Sequence, residues 1–496
     1  MKLDYHLSLC YPTDMEEAAR EMDRLLWSMV ERAARLSIPK QEEGRGLECV
    51  LTVPIARLTG RTYQDWLVRT PVRHGGLGMR SMADVSLLAF MGGLEQAVPR
   101  FVGDEGVMRQ LGPTLGRVEG DRRWEDMLTS GCRTGVELAK LWDTLQGEAR
   151  EMCDFLGEEL EGPLAVAVQG AGEGSVTGAT RQLATTYLED GRLKVLRKAL
   201  ELYPDQSARP VWAHPQLDKL SQGWVLSLPG PRGLNQAEFS ETMARFLCLP
   251  SPCCASRVGE ELGERNLTVD PFGDNVSSVS NIPGGSFTAR HDLVKTCINA
   301  LCVDAGLRVE CEVFGAFRDL IPVQALQEEE DLRPGRKRAG LLPDFSMDLP
   351  EPGAEDGHAA LGGIRKGLAE VKVIGAVKTY YARSGPLARR TRGVDRRGAL
   401  VPGEYRRPLE RLDSTYHNTA PGDTGPLVRR LLGYGRLQLL VVGSWQEGTK
   451  DLHSLLDLLA DLKVKRLGLA RGRELSDRES AKVLSECRRI LSYGGL

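Results

Sequence analysis

Two short runs decide the reading of this chain: LLPDFSMDL at residues 341–349 and LAEVKVI at residues 368–374. In an extended strand residues i and i+2 point the same way, so Glu370 and Lys372 share one face of the second run while Val371 and Val373 share the other. One face is set for chemistry and the other for a core. Asp344, in the first run, brings a carboxylate to a neighbouring strand, and two carboxylates completed by water are the oxygen-rich setting that Mg²⁺ (or Mn²⁺) prefers. A lysine beside such an ion has a separate task, orienting a water or stabilising charge that builds up on a phosphoryl group. Asp344, Glu370 and Lys372 are therefore the candidate catalytic residues, with Asp344 and Glu370 as the metal ligands. Asp348, on the same strand face as Asp344, and Glu312 upstream are lesser candidates for a third carboxylate. The pattern is short, and Pro204-Asp205 repeats its first half. The plainer alternative is a Glu–Lys pair on the surface of a half-exposed strand.

The order of elements around the two runs narrows the choice. Val294, Ile298, Leu301, Cys302 and Ala305 fall at helical spacing and end at Gly306, and LRVECEVF at 307–314 alternates as a strand does. A Pro/Gly-rich loop at 350–363 separates the two decisive runs. Downstream lie a basic stretch compatible with a helix, 395–416, the fully apolar strand LQLLVV at 437–442 and a helix over 451–462. The sequence thus predicts α-β-β-β-α-β-α. Upstream, residues 14–36 read as an amphipathic helix, 82–97 as an apolar one, and 121–202 as mostly helical around a Gly-rich stretch at 170–178. His74, among the glycines of TPVRHGGLGMR at 70–80, has no base or nucleophile beside it in sequence and is read as structural.

Bulk properties set the bounds. A chain of 496 residues holds two to four folded units, and 41% hydrophobic with 27% charged residues is a globular composition. Eleven scattered cysteines, an odd number, read as reduced thiols. No apolar run is long enough for a membrane span and no signal peptide is visible at the amino terminus, so an intracellular chain with no membrane partner is expected. The net charge of −3 gives no global attraction to nucleic acid, so any such contact must be local. Two stretches supply it. Lys378, Arg389, Arg390, Arg392, Arg396 and Arg397 lie in one, which runs on through Arg406, Arg407 and Arg411, and Arg336, Lys337 and Arg338 lie in the other. Both flank the candidate site, although charge runs are often no more than solvated surface.

Several motifs together carry a resemblance. RHD at 290–292, CEVFG at 311–315, RPGRKR at 333–338, LLPDF at 341–345 and AEVKVIG at 369–375 look like the restriction-like endonuclease at the carboxyl end of early-branching non-LTR retrotransposon proteins. TPVRHGGLGMRSMADVSLLAFMGG at 70–93 resembles the thumb region of their reverse transcriptases, and QGWVLSLPG at 222–230 their connector. The resemblance implies an α/β restriction-endonuclease-like core preceded by a mainly helical region. It divides the chain into a thumb-like part (1–110), a helical connector (111–245), a degenerate zinc-knuckle-like segment (246–285), the endonuclease (286–470) and a helical tail (471–496). It implies a metal-dependent nuclease that nicks target DNA, with DNA and element RNA as partners and a nuclear location. A catalytically inactive nucleic-acid-binding remnant of the same element is the alternative.

The chain departs from that family twice. Cys253 and Cys254 are adjacent and Asn275 stands where a histidine ligand would be expected, so the thiolate and imidazole set that zinc needs is broken and zinc is not expected. No Asp-Asp dipeptide occurs, so the paired aspartates of a polymerase palm are missing and the chain reads as the back half of an element protein.

Overall fold

The computed structural model describes residues 11–38, 51, 53–86, 88–90, 93, 133–158, 179–205, 208–221, 223–226, 234–263, 267–279, 286–313, 315–323, 343–350, 364–376, 381, 392–471 and 476–494. They fall into two compact units, Met1–Val211 and Trp212–Leu496.

The first unit is helical. Helix α1 (Pro12–Ala34) has proline in its first turn, where the missing N–H costs nothing, and buries Trp27, Val30 and Ala34. Helix α2 (Tyr63–Arg69) is capped by the Thr62 hydroxyl, which accepts from the Asp65 N–H, and is buried from Tyr63 to Val68. Behind it the backbone turns back at Gly75 and Gly78, both at positive φ. Helices α3 (Arg133–Leu156) and α4 (Ala179–Glu201) pack together through Leu145, Ala149 and Met152 against Leu188, Val195 and Ala199. His74 meets Asp190 of α4 at 2.8 Å, which fits the structural role read for it.

The second unit is a layered α/β structure. After helix α5 (Gln236–Phe246), capped reciprocally by Asn235 and Glu238, comes a two-stranded ribbon of β1 (Glu261–Leu262) and β2 (Leu267–Thr268). Helix α6 (Ser286–Ala305) then leads into a four-stranded sheet, in spatial order β3 (Val309–Cys311), β4 (Phe345–Pro350), β5 (Ile364–Val373) and β6 (Gln438–Val442). The first two pairings are antiparallel and the last is parallel. The chain passes from β5 to β6 through helices α7 (Gly393–Tyr416) and α8 (Pro426–Gly433), and closes with α9 (Lys450–Arg471) and α10 (Asp477–Gly494).

Alternation along the strands builds two cores. Phe345, Met347, Ala369, Val371, Val373, Leu440 and Val442 face α6, α9 and α10, where Val294, Ile298, Leu455, Leu459 and Leu491 complete one cluster. Leu368 and Leu439 face the other way, toward Val401, Tyr405 and Leu409 of α7 and Leu427 of α8. Strand β6 is apolar from Leu439 to Val442 because both its faces are covered. Each fully buried leucine or valine here contributes roughly 1.5–3 kcal/mol.

Three features differ from the sequence reading. The strand expected over 307–314 ends at Cys311, because Glu312 adopts a left-handed φ of 51°. An unforeseen helix, α8, precedes β6. The carboxyl-terminal helix, assigned above to a separate tail, shares the α6–α9 core through Val483, Cys487 and Leu491. The loop 351–363 and the Gly-rich stretch 170–178 lie outside the described residues. Helix α7 continues through Pro402 and Pro408, each of which removes a backbone hydrogen bond. Its buried stripe of Val394, Val401, Tyr405 and Leu409 holds it against the sheet on both sides of those positions.

Helix α8 has no side-chain cap of its own, since its N-cap is Gly425. Buried Asp413 of α7 takes that place, accepting from the Leu427 and Val428 N–H groups at 2.9 and 3.0 Å. A Cβ at Gly425 would overlap the Asp413 carboxyl, so glycine is required there. Asp413→Ala, which strands both donors, should lower the unfolding free energy in urea by about 1–3 kcal/mol. A smaller loss than that of an exposed control such as Asp423→Ala would show that the α8 terminus is satisfied in another way.

Candidate active site

Strand register brings the carboxylates together. Strand β4 pairs Phe345 with Ala369, so the next rung sets Asp344 beside Glu370. Strand β3 pairs Cys311 with Phe345, and the same rung reaches Glu312, whose N–H donates to the Asp344 carbonyl at 2.8 Å. The two predicted ligands are thus neighbours at one end of the sheet, with Lys372 two residues along β5 on the same face as Glu370. Pro343 has no N–H to give the sheet, and Asp344 leads directly into the first residue of β4.

Helix α6 supplies what the sequence reading missed. His291 and Lys295 stand one turn apart, so their side chains reach the same place. Lys295 Nζ lies 2.9 Å from Asp344 Oδ1 and 3.3 Å from Glu312 Oε1. Asp344 Oδ2 accepts the Val371 N–H at 2.9 Å, and His291 Nε2 stands 3.5 Å from it. On the other ring nitrogen, His291 Nδ1 faces Asp292 at 3.2 Å. Burial alone would raise the Asp344 pKa, but hydrogen bonds from His291, Lys295 and the Val371 N–H bring it down to about 2. For His291 and Lys295, burial pulls downward and Asp344 more than offsets it, leaving both pKa values raised. Asp344 is therefore ionised, and its charge favours the protonated forms of His291 and Lys295.

Glu370 behaves in the opposite way. It is buried, and both its burial and the charge on Asp344 raise its pKa, against hydrogen bonds donated by Lys372 and by the Tyr405 hydroxyl. Tyr405 projects from the buried stripe of α7, and burial, then the Glu370 charge, pushes its own pKa up. Two adjacent carboxylates with acidities driven apart in this way are a recurrent arrangement at reactive sites. Among the described residues no three His, Cys, Asp or Glu side chains form a closed metal cage. The donor set fits an open site. Two hard oxygen donors beside each other, one destabilised by its neighbour's charge, suit a divalent ion that keeps much of its water.

No family model matches the chain, and no curated protein sequence matches it. What the site can do must therefore be argued from its own geometry.

The remaining sequence candidates scatter. Arg336, Lys337, Arg338, Lys378, Arg389 and Arg390 lie outside the described residues. Arg392 is built into the fold, pairing with Asp218 at 2.7 Å and Asp395 at 2.9 Å and donating to the Gly448 carbonyl at 2.8 Å. Arg397 pairs with Glu404 at 2.6 Å, and Arg396 is half-buried. Arg406, Arg407 and Arg411 of α7 are the exposed ones. Asp348 lies four residues beyond Asp344 on β4, roughly 13 Å along the strand, and is no part of this cluster. Cys253 is exposed, and Asn275 donates to the Thr268 carbonyl at 2.8 Å. The described cysteines, Cys253 and Cys254 included, are free thiols.

Signals for the missed residues existed. His291 and Lys295 border the apolar stripe of Val294, Ile298 and Leu301, and Tyr405 occupies a stripe position in an otherwise basic helix. The pKa directions give opposite expectations for the two carboxylates. Because the folded pKa of Asp344 lies below its ordinary value, its stabilising contribution is complete above about pH 4 and disappears as pH falls through about 2. Glu370, whose pKa is raised, costs stability when charged and relieves that cost on protonation. Asp344→Asn should lose roughly 2 kcal/mol at neutral pH and flatten the acid limb of a urea-unfolding series. Glu370→Gln should be as stable as the parent at pH 7, or more so. Equal destabilisation by both substitutions would mark the pair as an ordinary buried ion cluster.

Proposed function

We propose that the second unit is a restriction-endonuclease-like domain and that the chain is a metal-dependent DNA endonuclease derived from a non-LTR retrotransposon. The reading rests above all on one observation: the sheet register sets Asp344 beside Glu370, with Lys372 bonded to Glu370 on the same strand. The sequence motifs shared with restriction-like endonucleases of such elements support it, as do helices on both faces of a mixed sheet.

In this reading Asp344 and Glu370 would hold Mg²⁺ or Mn²⁺, and a divalent ion bound there would supply neutralisation of phosphoryl charge and a lowered pKa for water. Lys372 orients the attacking water or stabilises the charge that builds up on the phosphoryl oxygens. Tyr405 fixes the Glu370 carboxylate, and Lys295 with the Val371 N–H fixes Asp344, so both carboxylates are oriented before substrate arrives. DNA lies across the basic stretch 378–411. Arg389 and Arg390 and the exposed Arg407 and Arg411 meet phosphates, whereas Arg392 stays with Asp218 and Arg406 with Glu410. Such contacts set register without reading bases. A nuclear location follows from a chromosomal substrate.

A supercoiled-plasmid assay tests the proposal. The purified chain should convert supercoiled to nicked circles with Mg²⁺ or Mn²⁺ and not with chelator. Lys372→Ala should cut the rate by ~10² or more while leaving DNA affinity nearly intact, the scale seen when a transition-state-stabilising group is removed. Metal-independent, salt-sensitive binding without nicking would instead assign the chain to the inactive-remnant class.

A further inference from the structure

The first unit contains an arginine-lined cavity of about 70 Å³. Five arginines line it, at positions 57, 61, 69, 80 and 192, against the carboxylates of Asp84 and Glu189. Most of these charges are mutually satisfied. Arg192 makes a bidentate pair with buried Glu148 at 2.6 and 3.0 Å and reaches Asp84 at 3.0 Å. Arg57 takes the other Asp84 oxygen at 2.8 Å, Arg69 holds Asp65 at 2.8 Å, and Arg80 holds Glu189 at 3.0 Å.

Arg61 is held most loosely. Its side chain is 11% exposed, and its ion pairs with Asp65 and Asp84 are both 3.7 Å long, beyond hydrogen bonding. Burial lowers its pKa ahead of the opposing pull of Asp84 and Asp65. Trp66 lines the same cavity, and its Nε1–H is buried with no hydrogen-bond partner among the described residues. Both unmet groups are donors. A buried donor without an acceptor costs free energy, and one acceptor-rich anion would satisfy both. Val85, Leu88, Leu145 and Leu188 supply the apolar part of the lining.

We propose that this cavity is a binding site for a single phosphate group, either free or at the end of a nucleic-acid chain, gripped by Arg61 and Trp66 Nε1 with Arg80 at its side. A guanidinium fork matches phosphate oxygens in pairs. The site is independent of the nuclease reading.

Calorimetric titration of the full chain with inorganic phosphate, at constant ionic strength set by chloride, tests it. One equivalent should bind, and phosphate should raise the thermal midpoint as linkage requires. Arg61→Met should lose affinity by about tenfold or more, the scale of a charge-assisted hydrogen bond, and its thermal midpoint should no longer rise with added phosphate, whatever the loss of the Arg61–Asp84 attraction costs the phosphate-free variant. Should that variant fail to fold, Trp66→Phe keeps the ring, removes only the N–H and should show a loss in the same direction. A 5′-phosphorylated oligonucleotide that binds better than its 5′-hydroxyl twin, in competition with phosphate, assigns a chain end; equal binding of the two with phosphate still bound assigns the free anion. No binding beyond chloride, or binding untouched by Arg61→Met or Trp66→Phe, overturns the proposal.

Discussion

Strand β5 has to satisfy two cores and a polar site at once. Its odd-numbered residues Ala369, Val371 and Val373 enter the cluster beneath α6 and α9, and Leu368 enters the one beneath α7. A one-residue slip would exchange these faces, burying Glu370 and Lys372 among Val294, Ile298 and Leu455 and stranding their charges. Register is thereby fixed, and with it the rung that places Asp344 beside Glu370. Parallel pairing with β6 adds a second lock, because Val371 and Val373 stand opposite Leu440 and Val442, whose apolar side chains join the same core.

Holding two carboxylates on one rung is costly, and the fold offsets the cost unequally. Asp344 receives a lysine, a histidine and a backbone N–H, whereas Glu370 has one lysine and one phenol and remains strained by its neighbour's charge. The asymmetry has a chemical consequence. Asp344 is a fixed anion and Glu370 is the more responsive member, whose charge is stabilised most by any further cation that comes between them. Tyr405 couples this balance to α7, because the helix that buries it also carries the exposed arginines. Geometry at the sheet and position of the basic face are therefore set by one packing contact.

Much of this was legible from residues alone. The elements α6, β5 and β6 lie within a few residues of where periodicity put them, since they bury clean apolar patterns, whereas α9 starts where expected but runs to Arg471, past the expected end at 462. The alternation in AEVKV also placed Val371 and Val373 on the core face, where the structure has them. Where the reading fell short, tertiary context decided. Nothing local announces that Glu312 adopts positive φ and ends β3, or that Asp413 of one helix caps the next. Lys295, and His291 within the RHD motif, receive a partner only when strand register brings Asp344 to them.

Arg392 shows most clearly why composition cannot place a binding surface. By sequence it is one arginine among ten basic residues between Lys378 and Arg411, and charge counting treats them alike. In the fold it reaches Asp218, more than 170 positions away, together with His453 and the Gly448 N–H. Asp218 is largely buried, and although burial would raise its pKa, hydrogen bonds from His453 and the backbone hold it low. It therefore needs a permanent cation, and a guanidinium that meets that need is not free to meet a phosphate. A basic run becomes an interface only where its charges remain uncommitted inside the protein. By that criterion Arg407 and Arg411, exposed on the outer side of α7, carry the electrostatics of this stretch, and Arg392 carries its architecture.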